Sequence, residues 1–169
     1  MSRLGRRPLT IADATLAVLV APAAANAATY TIKSGDGACG PGDLACGGFA
    51  EAAAVASAGD VFNVSPGIYP GATFAAPGLT INGQTGVLVN STVTFSGAAG
   101  AASKMSKVSV IQAAATGPAI VVTGTAGLEL SDAVAVSAND HGIFISAGTT
   151  NKIVRSIVAT GGAQTSAIR

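Results

Sequence analysis

AIVVTGTAGLELSDAVAVSANDH, from Ala119 to His141, and GIFISAGTTNKIVRSIVATGGAQTS, from Gly142 to Ser166, can be written one beneath the other so that their apolar positions coincide. Ile120 lies over Ile143, Val122 over Ile145, Leu130 over Ile153 and Val134 over Ile157, giving three short apolar clusters in each line. Each cluster reads as a strand. The charges fall in the same register, Glu129 against Lys152 and Asp132 against Arg155, so opposite signs meet. A third line opens with Ala167, Ile168 and Arg169.

A period of about 23 residues, with three short strands per repeat and small polar residues between them, is what stacked coils require. Each coil hydrogen-bonds to the one below at roughly 4.8 Å, so equivalent residues must tolerate lying on top of one another. Aliphatic residues inside, Gly, Ser, Thr and Asn at corners and complementary charges outside meet that condition. The reading is therefore an all-β parallel β-helix, a solenoid. A β-sandwich also has short, closely spaced strands, but it gives no reason for charges to alternate in register.

The 169 residues have room for one domain, and the composition is 49% hydrophobic, only 4% aromatic and 10% charged. A narrow interior of Ala, Val and Ile suits a solenoid. The formal net charge of +1 offers no basic patch for nucleic acid. Residues 1–27 read as a secretory signal peptide: Arg3, Arg6 and Arg7 form a positive head, Ala14 to Ala21 an apolar run and Ala25-Asn26-Ala27 a small-residue cleavage site. Asp13 and Pro22 leave that run well short of the roughly 20 apolar residues of a membrane span. The expected product is a secreted or cell-surface domain of residues 28–169, with no membrane span after cleavage.

Cys39 and Cys46 are the only cysteines, and in a secreted chain an isolated pair is expected to form a disulfide. The only histidine, His141, is far away in sequence, which argues against structural zinc. Phe49 to Ala58 reads as a helix with Phe49, Ala52, Ala53 and Ala56 on one face and Gly59 as its stop. A solenoid needs its first coil covered, and this helix is the expected N-terminal cap. Gly59-Asp60, the strand Val61 to Val64 and Pro66-Gly67-Ile68-Tyr69 follow. Together with Leu79-Thr80-Ile81-Asn82-Gly83 and the two repeat lines, this order resembles secreted bacterial right-handed parallel β-helix proteins of the pectin-lyase-like superfamily. The resemblance implies the fold and an extracellular setting and leaves the activity open.

Between residues 71 and 118 strands are legible at Leu79 to Ile81, Val87 to Val89, Val93 to Phe95 and Val108 to Ile111, but the coil length is not. Gly97 to Lys107 reads as a loop projecting from a corner, with Lys104 and Lys107 as solvated side chains or as contacts to an acidic glycan.

Enzymes of the resembled superfamily set carboxylates and a basic residue on one outer strand face, with calcium in many lyases and paired carboxylates in hydrolases. The candidates here are Asp132, Arg155, Glu129 and Lys152, which stacking would bring together. They could hold a sugar carboxylate, or simply be surface ion pairs. No group of three carboxylates suited to calcium appears, so neither a metal nor a cofactor is expected, and no catalytic residue is assigned. Asn139-Asp140-His141 reads as a turn, because neighbours at a strand end point apart and do not form a dyad. The expected function is a non-catalytic scaffold binding extracellular polysaccharide. The alternative is the N-terminal part of a polysaccharide lyase or glycoside hydrolase. Ala167-Ile168-Arg169 begins a coil, so the solenoid reads as incomplete at its C-terminus and as open to self-association there.

Overall fold

The computed structural model describes residues 26–40, 42–97, 101–114, 116–124, 127–146, 151–162 and 166–169. Most of the expected signal segment, residues 1–25, lies outside them. Among the described residues two strands, β1 (Thr29–Ile32) and β2 (Ala45–Cys46), and one helix, α1 (Phe49–Val55), precede the coils. The first coil holds β3 (Val61–Val64), β4 (Gly67–Tyr69) and β5 (Thr73–Phe74), and the second β6 (Thr80–Asn82), β7 (Val87–Val89) and β8 (Val93–Phe95). The third holds β9 (Ser103–Ser106), β10 (Ser109–Gln112) and β11 (Ile120–Val122). The fourth holds β12 (Leu128–Ser131), β13 (Val134–Ser137) and β14 (Ile143–Ile145). A fifth opens with β15 (Lys152–Val154) and β16 (Ile157–Thr160), and Ile168 bridges Ile143 on the third side.

Every pairing between these strands is parallel and joins one coil to the next. Three sheets result, in the orders β15-β12-β9-β6-β3-β1-β2, β16-β13-β10-β7-β4 and β14-β11-β8-β5. The described residues thus form a parallel β-solenoid with one short helix. The register expected from the two repeat lines is the observed one: Ile120 pairs with Ile143, Leu130 with Ile153 and Val134 with Ile157.

Alternation along each strand sends every second side chain into the core. On the first sheet Phe62, Ile81, Met105 and Leu130 form one fully buried column, and on the second Tyr69, Val89, Val110 and Ala135 form another. The interior is not uniformly aliphatic as composition suggests. Its first coils hold an aromatic plug in which Tyr30 stacks on Phe62 at 5.1 Å, Phe74 on Phe95 at 5.8 Å, and Phe49 meets Tyr69 at 5.7 Å and Phe74 at 6.0 Å. A small share of aromatics suffices because nearly all are concentrated at one end.

The helix caps that end as expected, burying Phe49 and Ala52 beneath β4 and β5 while β2 covers the edge of β1. It stops at Val55, earlier than Ala58. The cause is Asp60: its carboxylate accepts the Ser57 amide at 2.8 Å and the Ala28 amide at 2.7 Å, and its own amide donates to the Ser57 carbonyl at 3.1 Å. Those bonds close a turn that competes with helix. Cys39 and Cys46 form the expected disulfide.

The loop expected at Gly97 to Lys107 is replaced in part by β9, a strand in the first sheet with Ser103 and Met105 buried. Ser-Lys-Met-Ser alternates but carries one apolar residue, which is too little signal for a strand by sequence. Coil length also varies. Asn63 stacks beneath Asn82 at a separation of 19 residues and Asn82 beneath Ser106 at 24, against 23 for Glu129 and Lys152.

Candidate functional site

Outward positions of the first sheet form two columns, and the corner after that sheet forms a third. The first column runs Thr80, Lys104, Glu129, Lys152, and the second Asn63, Asn82, Ser106, Ser131. At the corner, Gly83, Lys107, Asp132 and Arg155 follow one another on successive coils, each directly after its strand. Lys107, Asp132 and Arg155 all have positive φ, at 54°, 50° and 45°. Side chains adopt that conformation at a cost, and here it turns all three charges outward at the same place. At Gly83 the Lys107 carbonyl occupies the space a Cβ would need, so the corner begins with glycine for reasons of room.

The four expected site residues do come together. Arg155 donates to Asp132 through Nε at 2.7 Å and through its terminal nitrogen at 2.8 Å, a fork-to-fork pair. Lys152 Nζ lies 3.2 Å from Glu129, and Lys104 Nζ approaches the other oxygen of Glu129 at 4.0 Å. The Arg155 guanidinium holds the Asp132 carboxyl below its ordinary value, chiefly by its hydrogen bond; desolvation opposes this, and the charges of Arg155 and then Lys107 add to the lowering.

Lys104 and Lys107 are the residues that sequence reasoning left out of this group. Successive rungs therefore read Lys104 with Lys107, Glu129 with Asp132, and Lys152 with Arg155, spaced by roughly 4.8 Å. Four cations surround two carboxylates. Among the described residues Lys107 has no carboxylate within ion-pair distance, and it lines an open cleft of about 390 Å³ with Gln84, Thr85, Gly86, Val87, Ser109 and Asp132. The cleft exists because the second coil takes four residues, 83–86, to pass from β6 to β7, where the third needs only Lys107 and Val108. That longer turn stands beside Lys107 as a ledge.

His141 lies elsewhere, between the second and third sheets, and is buried. Its Nδ1 donates to the Ser166 carbonyl at 2.8 Å, tying the fourth coil to the fifth. The expected turn at Asn139-Asp140-His141 is present, but the two side chains do not point apart as expected. Asp140 Oδ1 accepts the His141 amide at 2.6 Å and so sits 3.7 Å from Nε2. That separation is too long for the hydrogen bond of a catalytic dyad. A smaller hollow of about 300 Å³ adjoins them, lined also by Pro118, Val121, Phe144 and Arg169.

Among the described residues no helix is long and apolar enough to cross a membrane, and no group of three or more His, Cys, Asp and Glu is placed to hold a metal ion. Comparison with family models, with curated proteins and with solved structures finds no match, so the fold and the charged face of this β-solenoid stand on its own residues.

Proposed function

We propose that the protein is an exported, non-catalytic β-solenoid scaffold of the pectin-lyase-like kind that holds acidic polysaccharide against the charged face of its first sheet. The observation that carries this reading is Lys107, a cation with no carboxylate within ion-pair distance among the described residues, placed in a cleft beside Gln84, Thr85, Ser109 and Asp132. An ammonium suits a sugar carboxylate or sulfate, and amide and hydroxyl groups suit sugar hydroxyls. Lys104, Lys152 and Arg155 extend the positive surface along the stacking direction, so a linear polyanion meets charge on more than one rung. The disulfide and the leader-like residues 1–27 support export.

Affinity electrophoresis through gels containing polygalacturonate, a sulfated galactan or neutral dextran tests the proposal. Retardation is expected in the acidic gels only, weakening as salt rises. Lys107→Ala should reduce it severalfold with the circular dichroism spectrum unchanged. Equal migration in all three gels at low salt refutes the binding reading. Release of unsaturated products, seen by ultraviolet absorbance and abolished by Arg155→Ala, would make the protein a lyase.

A further inference from the structure

The outward face of the second sheet is apolar where that of the first is charged. None of its strands, β4, β7, β10, β13 and β16, carries a charged residue, whereas β9, β12 and β15 carry Lys104, Glu129 and Lys152. Its outward side chains stack as Ile68, Leu88, Ser109 and Val134, and beside them Ile111 stacks against Val136. Ile68 is 63% exposed and Ile111 40%. Ile111 has a coil on either side of it, so its exposure owes nothing to the ends of the chain. Single exposed apolar side chains need no explanation, but a contiguous apolar face marks a contact surface. At the edge of this face stand two opposite charges on successive coils, Lys107 just before β10 and Asp132 just before β13, both exposed and both at positive φ.

We infer that this face pairs two copies of the protein through a two-fold axis that runs along the strands and passes between β10 and β13. Two sheets stacked face to face lie about 10 Å apart, close enough for their outward side chains to meet. This axis sets Ile111 of one copy against Val136 of the other, and Ser109 against Val134, each contact occurring twice. It also sets Lys107, which has no carboxylate within ion-pair distance among the described residues, opposite the second copy's Asp132. Charge complementarity selects the register. An axis lying on β10 would oppose Lys107 to itself, and one lying on β13 would oppose Asp132 to itself. An axis along the solenoid would turn the charged corner towards the uncharged side of the sheet, where Asn90 and Ala138 follow β7 and β13. The pairing is weak. Four strands about 13 Å long cover roughly 250 Å² of face, against roughly 800 Å² per partner in a stable complex, so the dimer exchanges with monomer. The inference does not rest on polysaccharide binding, and because Lys107 serves both, the test is made without polysaccharide.

Sedimentation equilibrium should show the average mass rising from one chain towards two as concentration increases. Ile111→Thr/Val136→Thr, which keeps β-branched side chains but removes apolar contact, should weaken the dimer about tenfold. Lys107→Asp and Asp132→Lys should each weaken it about tenfold as well. An equimolar mixture of those two variants should recover the association, because each copy then supplies the charge the other needs, and the recovery should shrink in high salt. Every variant is checked for fold by circular dichroism. Retardation in acidic gels should be unchanged in Ile111→Thr/Val136→Thr, so failure of one reading leaves the other standing. A monomer at every concentration, a dimer indifferent to Ile111→Thr/Val136→Thr, or a mixture no tighter than its components would overturn the inference. Binding of monomer to anionic phospholipid vesicles, lost in Ile111→Thr/Val136→Thr, would assign the face to a membrane and overturn it too.

Discussion

Removing the Asp60 carboxylate should loosen the N-terminal cap more than any other single polar change. Asp60 is 2% exposed, and its two oxygens hold two separate segments, the amide of Ala28 at 2.7 Å just before β1 and the amide of Ser57 at 2.8 Å after α1. A hydrogen bond to a charged group contributes about 1.5–3 kcal/mol, and a buried donor left without an acceptor costs about 1–3 kcal/mol. Ser57 is exposed and Ala28 half-buried, so water replaces the first bond readily and the second in part. Asp60→Ala is therefore expected to cost about 2–3 kcal/mol. Asp60→Asn keeps one acceptor but turns an amide donor towards the other N–H, and should cost about 1–2 kcal/mol. The chain has no tryptophan, so urea unfolding is followed by far-ultraviolet circular dichroism, with hydrogen exchange at Ala28 and Ser57 as the local readout. An Asp60→Ala protein within about 0.5 kcal/mol of the unaltered chain, with both amides still protected, would show that the carboxylate does not fasten the cap.

Charge reversal at Asp132 alone should destabilise mildly, and reversal of both Asp132 and Arg155 should restore most of the loss; additive single effects would contradict the observed register. Because the folded-state value of Asp132 lies below its ordinary 3.8, its pairing stabilises above that value and is lost as pH falls through the lower folded value, so the advantage over Asp132→Asn should be present at pH 5–7 and vanish in strong acid. Mass spectrometry of exported protein should find a chain beginning at Ala28 with Cys39 bonded to Cys46, and an intact Met1 or two free thiols would contradict export. Replacing both cysteines by serine should cost no more than about 2.5 kcal/mol, the limit set by so short a loop.

The two repeat lines were enough to determine the solenoid and the register of its last coils. A coil's neighbour is nearly a copy of itself, so a translational match in sequence is already a contact in space, and Ile120 with Ile143 or Asp132 with Arg155 follow from writing one line over the other. The cap and the disulfide were equally local, a helical stretch and an isolated cysteine pair. Lys104 and Lys107 were different. Their place beside Glu129 and Asp132 depends on how many residues each coil spends at its corners, and with separations of 19, 24 and 23 residues no fixed period reveals it. The end of the helix, the aromatic plug and the cleft beside Lys107 likewise arise between segments that carry no mutual signal in sequence. Asp60 reaches from one turn to the start of β1, and a ledge on one coil meets a lysine on the next. Sequence similarity between coils fixes what stacks on what, while the lengths of the turns, which only the folded chain reconciles, decide which charges share a face.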